Sequence, residues 1–136
     1  MGEVSIGRRG SLILKAGNDD RARSGAVEYL MVTLVAEGLT STSRIYDVNG
    51  FGTLVGYFDD LSRHWRGWDG SKMYESLEGD LRISARHDGR VRLEVTLNQI
   101  LGETEWRCQS TIILDPGEEL SFAAAALQEL LNPAIS

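Results

Sequence analysis

Residues 81–97 read LRISARHDGRVRLEVTL, and this stretch decides the fold class. Apolar residues take every second position on both sides of Asp88-Gly89, which is typical of two strands that each bury one face. The apolar faces match when the loop has three residues, His87-Asp88-Gly89, with the glycine in a left-handed conformation. This register places Arg82 opposite Glu94 as a cross-strand pair of opposite charges. The buried face consists of Leu81, Ile83, Ala85, Val91, Leu93, Val95 and Leu97.

A further strand follows in residues 104–114, TEWRCQSTIIL. Its inward positions carry even numbers, and an even loop length around Leu101-Gly102 brings them beside the inward face of the preceding strand. Residues 73–114 are therefore predicted to form a three-stranded antiparallel meander. The inward set consists of Trp106, Cys108, Ser110, Ile112 and Leu114. Cys108 is the single cysteine, so we interpret it as a small core residue of a cytoplasmic protein.

The N-terminal part of the chain predicts four strands. Residues 4–6 and 12–14 are short apolar runs, and a loop rich in turn formers separates them from residues 26–38, AVEYLMVTLVAEG. That segment is apolar on both alternating sets, which predicts a central strand that is buried on both faces. Residues 39–48, LTSTSRIYDV, are half polar and predict a partner strand closer to an edge.

From Asn49 onward the apolar period changes from two residues to 3.6, which indicates an amphipathic helix with Asn49 as its N-cap. Gly67 is the predicted left-handed residue after the helix. That position makes Arg66 the C-cap and Trp65 the last residue that faces the core. The predicted buried stripe consists of Phe51, Leu54, Val55, Phe58, Leu61 and Trp65.

A second helix begins at Asp115-Pro116-Gly117-Glu118, which offers an acidic N-cap, proline at the first helical position and glutamate at the third. Asn132-Pro133 is the predicted end of this helix. Its buried stripe is expected to consist of Leu120, Ala124, Leu127, Leu130 and Leu131.

The predicted order of elements is ββββ-α-βββ-α, which is an α+β arrangement because no strand-helix-strand alternation calls for a parallel sheet. We expect a single domain over residues 1–136. It should contain one antiparallel, meander-rich sheet of about six to seven strands, with two amphipathic helices packed on one face.

The charge balance limits the partners of the chain. Twenty acidic and fourteen basic residues give a net charge of −6, which repels nucleic acid and anionic lipid and attracts a basic protein surface. No apolar run approaches the roughly 18 residues of a membrane span. We therefore expect a cytoplasmic protein that binds neither nucleic acid nor membranes, and a basic protein is the expected class of partner.

The most site-like stretch is residues 64–70, HWRGWDG. Asp60 and His64 stand four apart on one helix, but two ligands do not make a metal site. No nucleophile-base arrangement, phosphate loop or cofactor signature is present, so we predict no catalytic residues, cofactor or metal. Trp68 either packs under the loop or stands partly exposed as an interface anchor. The candidate binding residues are Asp59, Asp60, His64, Arg66, Trp68 and Asp69.

One stretch resembles a known family. The pattern FxxLxxxWRGWxG in residues 58–70, followed by SLEGDLRISARHDGRVRLEVTL in residues 76–97, is similar to a family of short bacterial proteins of unknown function. Members share a WRGW-type turn, an E-G-x-L strand and a V-x-L-x-V-x-L strand. The resemblance implies no catalytic residues, substrate or cofactor.

Two hypotheses about function remain open. The first is a non-enzymatic interaction protein, which the acidic charge favours, and its size and plan are similar to those of immunity proteins that neutralise bacterial toxins. The second is a small-ligand-binding domain or an unusual enzyme, with a cleft near the WRGWDG loop. The sequence leaves the oligomeric state open.

Overall fold

The computed structural model describes residues 2–8, 10–99 and 103–131. Within these residues the chain forms eight strands and two α-helices, which confirms the α+β class. The strands are β1 (Gly2–Ile6), β2 (Ser11–Ala16), β3 (Tyr29–Ala36), β4 (Leu39–Tyr46), β5 (Lys72–Glu75), β6 (Leu81–His87), β7 (Val91–Gln99) and β8 (Trp106–Leu114). The helices are α1 (Gly52–Arg63) and α2 (Glu118–Leu131), and a short 3₁₀ turn covers Asn18–Asp20. None of the described helices is both long and apolar enough to cross a membrane.

The strands form two antiparallel sheets, ordered β1-β2-β3-β4 and β5-β6-β7-β8. The prediction of one sheet with about six to seven strands is therefore wrong. The extra strand is β5, which has only four residues and buries one of them, Tyr74, so it has too little alternation to recognise. Each meander is followed by a helix, and the chain thus uses one ββββα plan twice.

Both sheets and both helices share one hydrophobic core. The helices pack against each other; α2 runs beside β1 and α1 lies beside β5. The strand β1 lies at one edge of the first sheet, and β5 lies at one edge of the second sheet. The helices therefore do not cover one face of a single sheet, as expected from the sequence, but flank one edge strand of each sheet.

The β6-β7 hairpin loop lies one residue further along the chain than predicted, which shifts the strand pairing by two residues. His87 pairs with Val91, so the loop is Asp88-Gly89-Arg90, and Gly89 has the expected left-handed backbone with φ of 100°. Arg82 consequently lies opposite Thr96, not Glu94.

The inward faces of β7 and β8 meet, as predicted. Leu97 lies opposite Cys108 and Val91 opposite Leu114. Cys108 was expected inside the core and is half-buried. The loop at Leu101-Gly102, which was expected to set this register, lies outside the described residues.

The strand β3 buries only one face, although burial on both was predicted. Leu30, Val32 and Leu34 are inaccessible to solvent, whereas Met31 on the other face is 36% exposed. Because β3 is an inner strand of a sheet whose outer face is open to solvent, its apolar outer residues are only partly covered. The prediction that β4 lies at an edge is confirmed.

The start of α1 differs from the prediction. Phe51 precedes the helix with a left-handed backbone, φ of 64°. The Asp47 carboxylate accepts hydrogen bonds from the backbone N–H groups of Phe51 (2.7 Å) and Asn49 (3.2 Å). Asp47 thus orders the turn that leads into α1, and the predicted Asn49 cap is not formed, because the N-cap position is Phe51 and has no side-chain cap hydrogen bond. The buried residues of the stripe include Phe51, Leu54, Phe58 and Leu61, as predicted.

The second helix also has a different cap. The Glu119 carboxylate, not that of Glu118, accepts a hydrogen bond from the backbone N–H of Asp115 at 3.1 Å. Ala123 is buried, whereas Ala124, expected in the stripe, is half-buried. The predicted end at Asn132-Pro133 lies outside the described residues.

Candidate functional site

The WRGW turn is attached to the second sheet by Trp68. The indole Nε1–H donates a hydrogen bond to the carbonyl oxygen of Ala85 on β6 at 3.0 Å, and the half-buried ring packs against the core. The ring of His87 stands edge-on to this indole, with the ring centroids 5.2 Å apart. Trp68 therefore takes the packed alternative, and its indole serves the fold.

His87 supports the same turn from the end of β6. Its Nε2 lies 2.8 Å from the carbonyl oxygen of Trp65, and its Nδ1 lies 3.2 Å from the backbone nitrogen of Gly89. A neutral ring with its hydrogen on Nε2 satisfies both bonds, because the carbonyl can only accept and the N–H can only donate. The sequence offered no signal for this role, because His87 was assigned to a loop.

Trp65 is the exposed tryptophan of the turn, although the sequence predicted it as the last core position. The helix ends earlier, with His64 as the C-cap in place of Arg66, and Trp65 is 45% exposed. The guanidinium of Arg66 lies 5.1 Å from the centre of the Trp65 ring. Arg66 and Asp69 are both exposed. The prediction for Trp65 is therefore wrong, and Trp68, whose position the sequence left open, is the tryptophan of the turn that packs against the core.

The carboxylate of Asp60 joins α1 to β5. It accepts a hydrogen bond from the Lys72 ammonium at 2.8 Å and lies 3.2 Å from Nδ1 of His64. The hydrogen bond from Lys72 holds the pKa of Asp60 below its usual value of 3.8. Lys72 also lies 5.8 Å from the centre of the Trp68 ring. Asp60, His64 and Trp68 are therefore brought together around Lys72, a residue that the sequence did not single out.

Two tyrosines belong to the same connection between α1 and β5, which we call the joint. The hydroxyl of Tyr57 donates a hydrogen bond to the carbonyl oxygen of Lys72 at 2.9 Å, and its ring lies 5.8 Å from that of Tyr74. Burial raises the pKa of both phenols, with smaller contributions from Asp60 for Tyr57 and from Asp47 for Tyr74. Both phenols stay neutral at physiological pH. The joint is a packed, hydrogen-bonded connection between α1 and the second sheet.

Asp59 lies apart from this joint, in an ion pair with Arg63 at 3.0 Å. Both residues line a groove of about 830 Å³ beside α1, which extends to the 24–26 loop and to Gln128 and Leu131 of α2. Residues 64–70 do not line this groove. Within residues 2–8, 10–99 and 103–131, no three side chains of the His, Cys, Asp or Glu type are grouped so that they could hold a metal ion.

A second groove runs between β1 and α2. Its wider part, about 520 Å³, extends along residues 3–8 of the chain and the first two turns of α2. A narrower part of about 440 Å³ continues to Gly2 and Leu130. Both parts share Glu3, Val4 and Ala126. We call the whole the acidic groove, because five carboxylates and two guanidinium groups line it. These residues are Glu3, Asp115, Glu118, Glu119, Glu129, Arg8 and Arg21.

Phe122 stands at the rim of the acidic groove and is 78% exposed, the most exposed large apolar side chain among the described residues. A signal for it was present in the sequence. Phe122 falls outside the apolar stripe of α2, and an aromatic residue on the solvent side of an amphipathic helix is unexplained by packing. None of the residues predicted to bind lines this groove.

Comparison with known proteins gives one match. The model described as "Family of unknown function (DUF6228)" matches residues 8–134, which is nearly the whole chain. Neither the curated proteins nor the solved structures include a significant match.

Proposed function

We propose that this chain, which belongs to the family of unknown function DUF6228, is a protein-interaction domain whose binding site is the acidic groove. The observation that carries the proposal is the exposure of Phe122 at the rim of this groove. Aromatic side chains are enriched among the residues that contribute most to protein-protein affinity. We therefore interpret the exposed Phe122 as a residue that contacts a partner protein.

The charges around Phe122 indicate what the partner carries. Glu119 pairs with Arg8 at 3.8 Å, and Asp115 pairs with Arg90 at 3.3 Å. Glu3, Glu118 and Glu129 form no ion pair with any other described residue. These free carboxylates attract a basic surface and repel an acidic one. The proposed partner is therefore a basic protein, and an immunity-type role against a basic bacterial toxin is one form of this function.

The alternative is a small-ligand site or an unusual enzyme, and the groove beside α1 offers a space of about 830 Å³ for it. The Asp59-Arg63 pair supplies one carboxylate and one guanidinium there. A Cβ atom at Gly56, in the wall of this groove, would meet no atom within 4 Å. A small molecule that raises the melting temperature of the wild type, and not of a Gly56→Phe variant that fills the groove, supports this alternative.

A site-specific crosslink tests the proposed function. A photoreactive benzoyl-phenylalanine replaces Phe122 in the native cells, and the same group replaces Met73 as the matched control. Met73 is 65% exposed on the outer face of the second sheet, away from the groove. We expect one protein to crosslink at position 122 and not at position 73. The purified partner should bind the wild-type chain and lose about tenfold or more in affinity with Phe122→Ser.

The stability of the Phe122→Ser variant must be checked in parallel. Because the side chain is mostly in water, the substitution should change the free energy of unfolding by no more than about 0.5 kcal/mol. Equal crosslinking at positions 122 and 73, or unchanged affinity of the Phe122→Ser variant, contradicts the proposal.

A further inference from the structure

We infer that the partner contributes an extended basic segment that adds to the free edge of β1 as an extra strand, an inference that rests on the proposed function. Its evidence is the open edge of β1, the alanine face of α2 beside it, and the alternation of side chains along the strand. Each of these is a property of the described residues.

The backbone of β1 offers the hydrogen bonds. Within the described residues, β1 pairs with β2 on one side and with no strand on the other. Half of the N–H and C=O groups of an edge strand point away from its single partner and are free to pair with an added chain. Glu3 and Ser5 of this strand are exposed. The groove that runs along residues 3–8, between β1 and α2, gives access to this edge.

The two halves of the chain differ at equivalent places. Each first strand is flanked by the helix of the other half: β5 by α1 and β1 by α2. At β5 the helix closes the edge, because Tyr57 donates its hydroxyl hydrogen to the carbonyl oxygen of Lys72. At β1 the helix presents Ala123 and Ala126 to the groove, and methyl groups cannot occupy a backbone acceptor. The backbone groups at the edge of β1 therefore have no side-chain partner from the alanines of α2, whereas at β5 Tyr57 occupies a backbone carbonyl.

The pattern of side chains along β1 specifies the segment. Glu3 and Ser5 are exposed, while Val4 and Ile6 are buried. All four line the groove, together with Ala126 and Phe122. In an added strand, one alternating set of side chains lies beside the exposed Glu3 and Ser5 and the other lies beside the buried Val4 and Ile6. Lysine or arginine suits the outer set, and apolar side chains suit the inner set. Five residues of β1 span about 17 Å, so the segment needs about five residues.

Synthetic peptides test the inference on the full-length chain. The probe is a heptapeptide of alternating lysine and valine, KVKVKVK, measured by isothermal titration calorimetry. Two further peptides are methylated on backbone nitrogens. One carries the methyl groups on the backbone nitrogens of its lysines, and the other carries them on the backbone nitrogens of its valines. Since alternate N–H groups of a strand point to opposite sides, only one of the two sets can donate to β1. We expect one methylated peptide to bind about tenfold or more weakly than the parent and the other to bind nearly as well.

Two variants of α2 provide the matched control. Ala126→Tyr places a phenol in the groove, as Tyr57 does at β5, and should abolish peptide binding. Ala125→Tyr adds the same side chain at an exposed neighbouring position that does not line the groove and should leave binding unchanged. Amide hydrogen exchange gives an independent readout, because the β1 amides that do not pair with β2 should become protected when the peptide binds.

The possible outcomes separate the two proposals. Peptide binding that depends on Phe122 but weakens equally with both methylated peptides, without protection of β1, overturns strand addition and leaves the proposed function standing. No saturable binding at about 1 mM peptide also overturns the inference. A dimer of the free chain that Ala126→Tyr converts to a monomer overturns it as well, because the occupant of the groove is then a second copy.

Discussion

Replacing each tryptophan of the WRGW turn by alanine measures which of the two holds the turn to the sheet. Trp68→Ala removes a half-buried ring and the hydrogen bond from its Nε1 to the carbonyl oxygen of Ala85. Trp65→Ala removes a ring that is 45% exposed. The bond from His87 reaches the backbone carbonyl of Trp65 and not its side chain, so that bond survives the Trp65 substitution.

The expected losses follow from burial. Truncating a fully buried tryptophan or phenylalanine costs about 3–5 kcal/mol, and half of that, about 2 kcal/mol, applies to the half-buried ring of Trp68. The lost hydrogen bond adds about 1 kcal/mol. Trp68→Ala should therefore lower the free energy of unfolding by about 3 kcal/mol. The ring of Trp65 is 45% exposed, so Trp65→Ala should lower the free energy of unfolding by no more than about 1 kcal/mol.

Urea unfolding followed by far-UV circular dichroism measures these losses. With a denaturant slope of about 2 kcal/mol per molar urea, the midpoint should fall by more than about 1 M for Trp68→Ala and by less than about 0.5 M for Trp65→Ala. Trp68→Phe keeps a ring and loses the N–H group, so its loss should be about 1 kcal/mol. Equal losses for the two alanine variants, or a larger loss for Trp65→Ala, refute the assignment of Trp68 as the anchor.

Three further outcomes follow from the same contacts. Asp47→Ala should lower the free energy of unfolding by about 1 kcal/mol in chemical denaturation, since the carboxylate accepts two backbone hydrogen bonds in the turn before α1, while Asn49→Ala should be nearly neutral. Asp60→Asn should cost less than about 1 kcal/mol, as its pair with Lys72 is partly exposed. Because the folded-state pKa of Asp60 lies below 3.8, that contribution is present above pH 3.8 and is lost as the pH falls through the folded-state pKa; urea midpoints of wild type and variant should therefore converge in acid, and a constant difference contradicts the pairing. Tyr57→Phe should cost about 1 kcal/mol by losing the hydrogen bond to Lys72, and a neutral thermal melt would show that this bond does not close the joint.

Periodicity made the secondary structure predictable. The alternation in residues 81–97 and 104–114 led to the hairpin and to the correct β7-β8 pairing, because a shift by one residue would expose the whole apolar face. The hairpin loop was misplaced by one residue, since His87 takes part in the strand while it bonds to the Trp65 carbonyl. The sequence contains no local signal for a bond that crosses from the strand to a distant turn.

The candidate site was less predictable. The sequence drew attention to the WRGW turn because aromatic and charged residues cluster there. Most of those residues connect α1 to the second sheet, as Trp68 does through Ala85 and Asp60 through Lys72. The acidic groove combines residues 2–8 with α2, more than 100 positions away along the chain. Side chains that are brought together only by folding leave no spacing pattern to read.

The sequence alone determined the α+β class, the positions of most strands and helices, and most of the faces that they bury. These properties depend on periodicities of two and 3.6 residues, which are local. The tertiary structure alone decided that the strands form two sheets, that Trp68 packs and Trp65 is exposed, and that α2 lies beside β1. These depend on how distant surfaces pack and which backbone groups remain unpaired. Such contacts are made across the core and are not encoded in any one stretch of the chain.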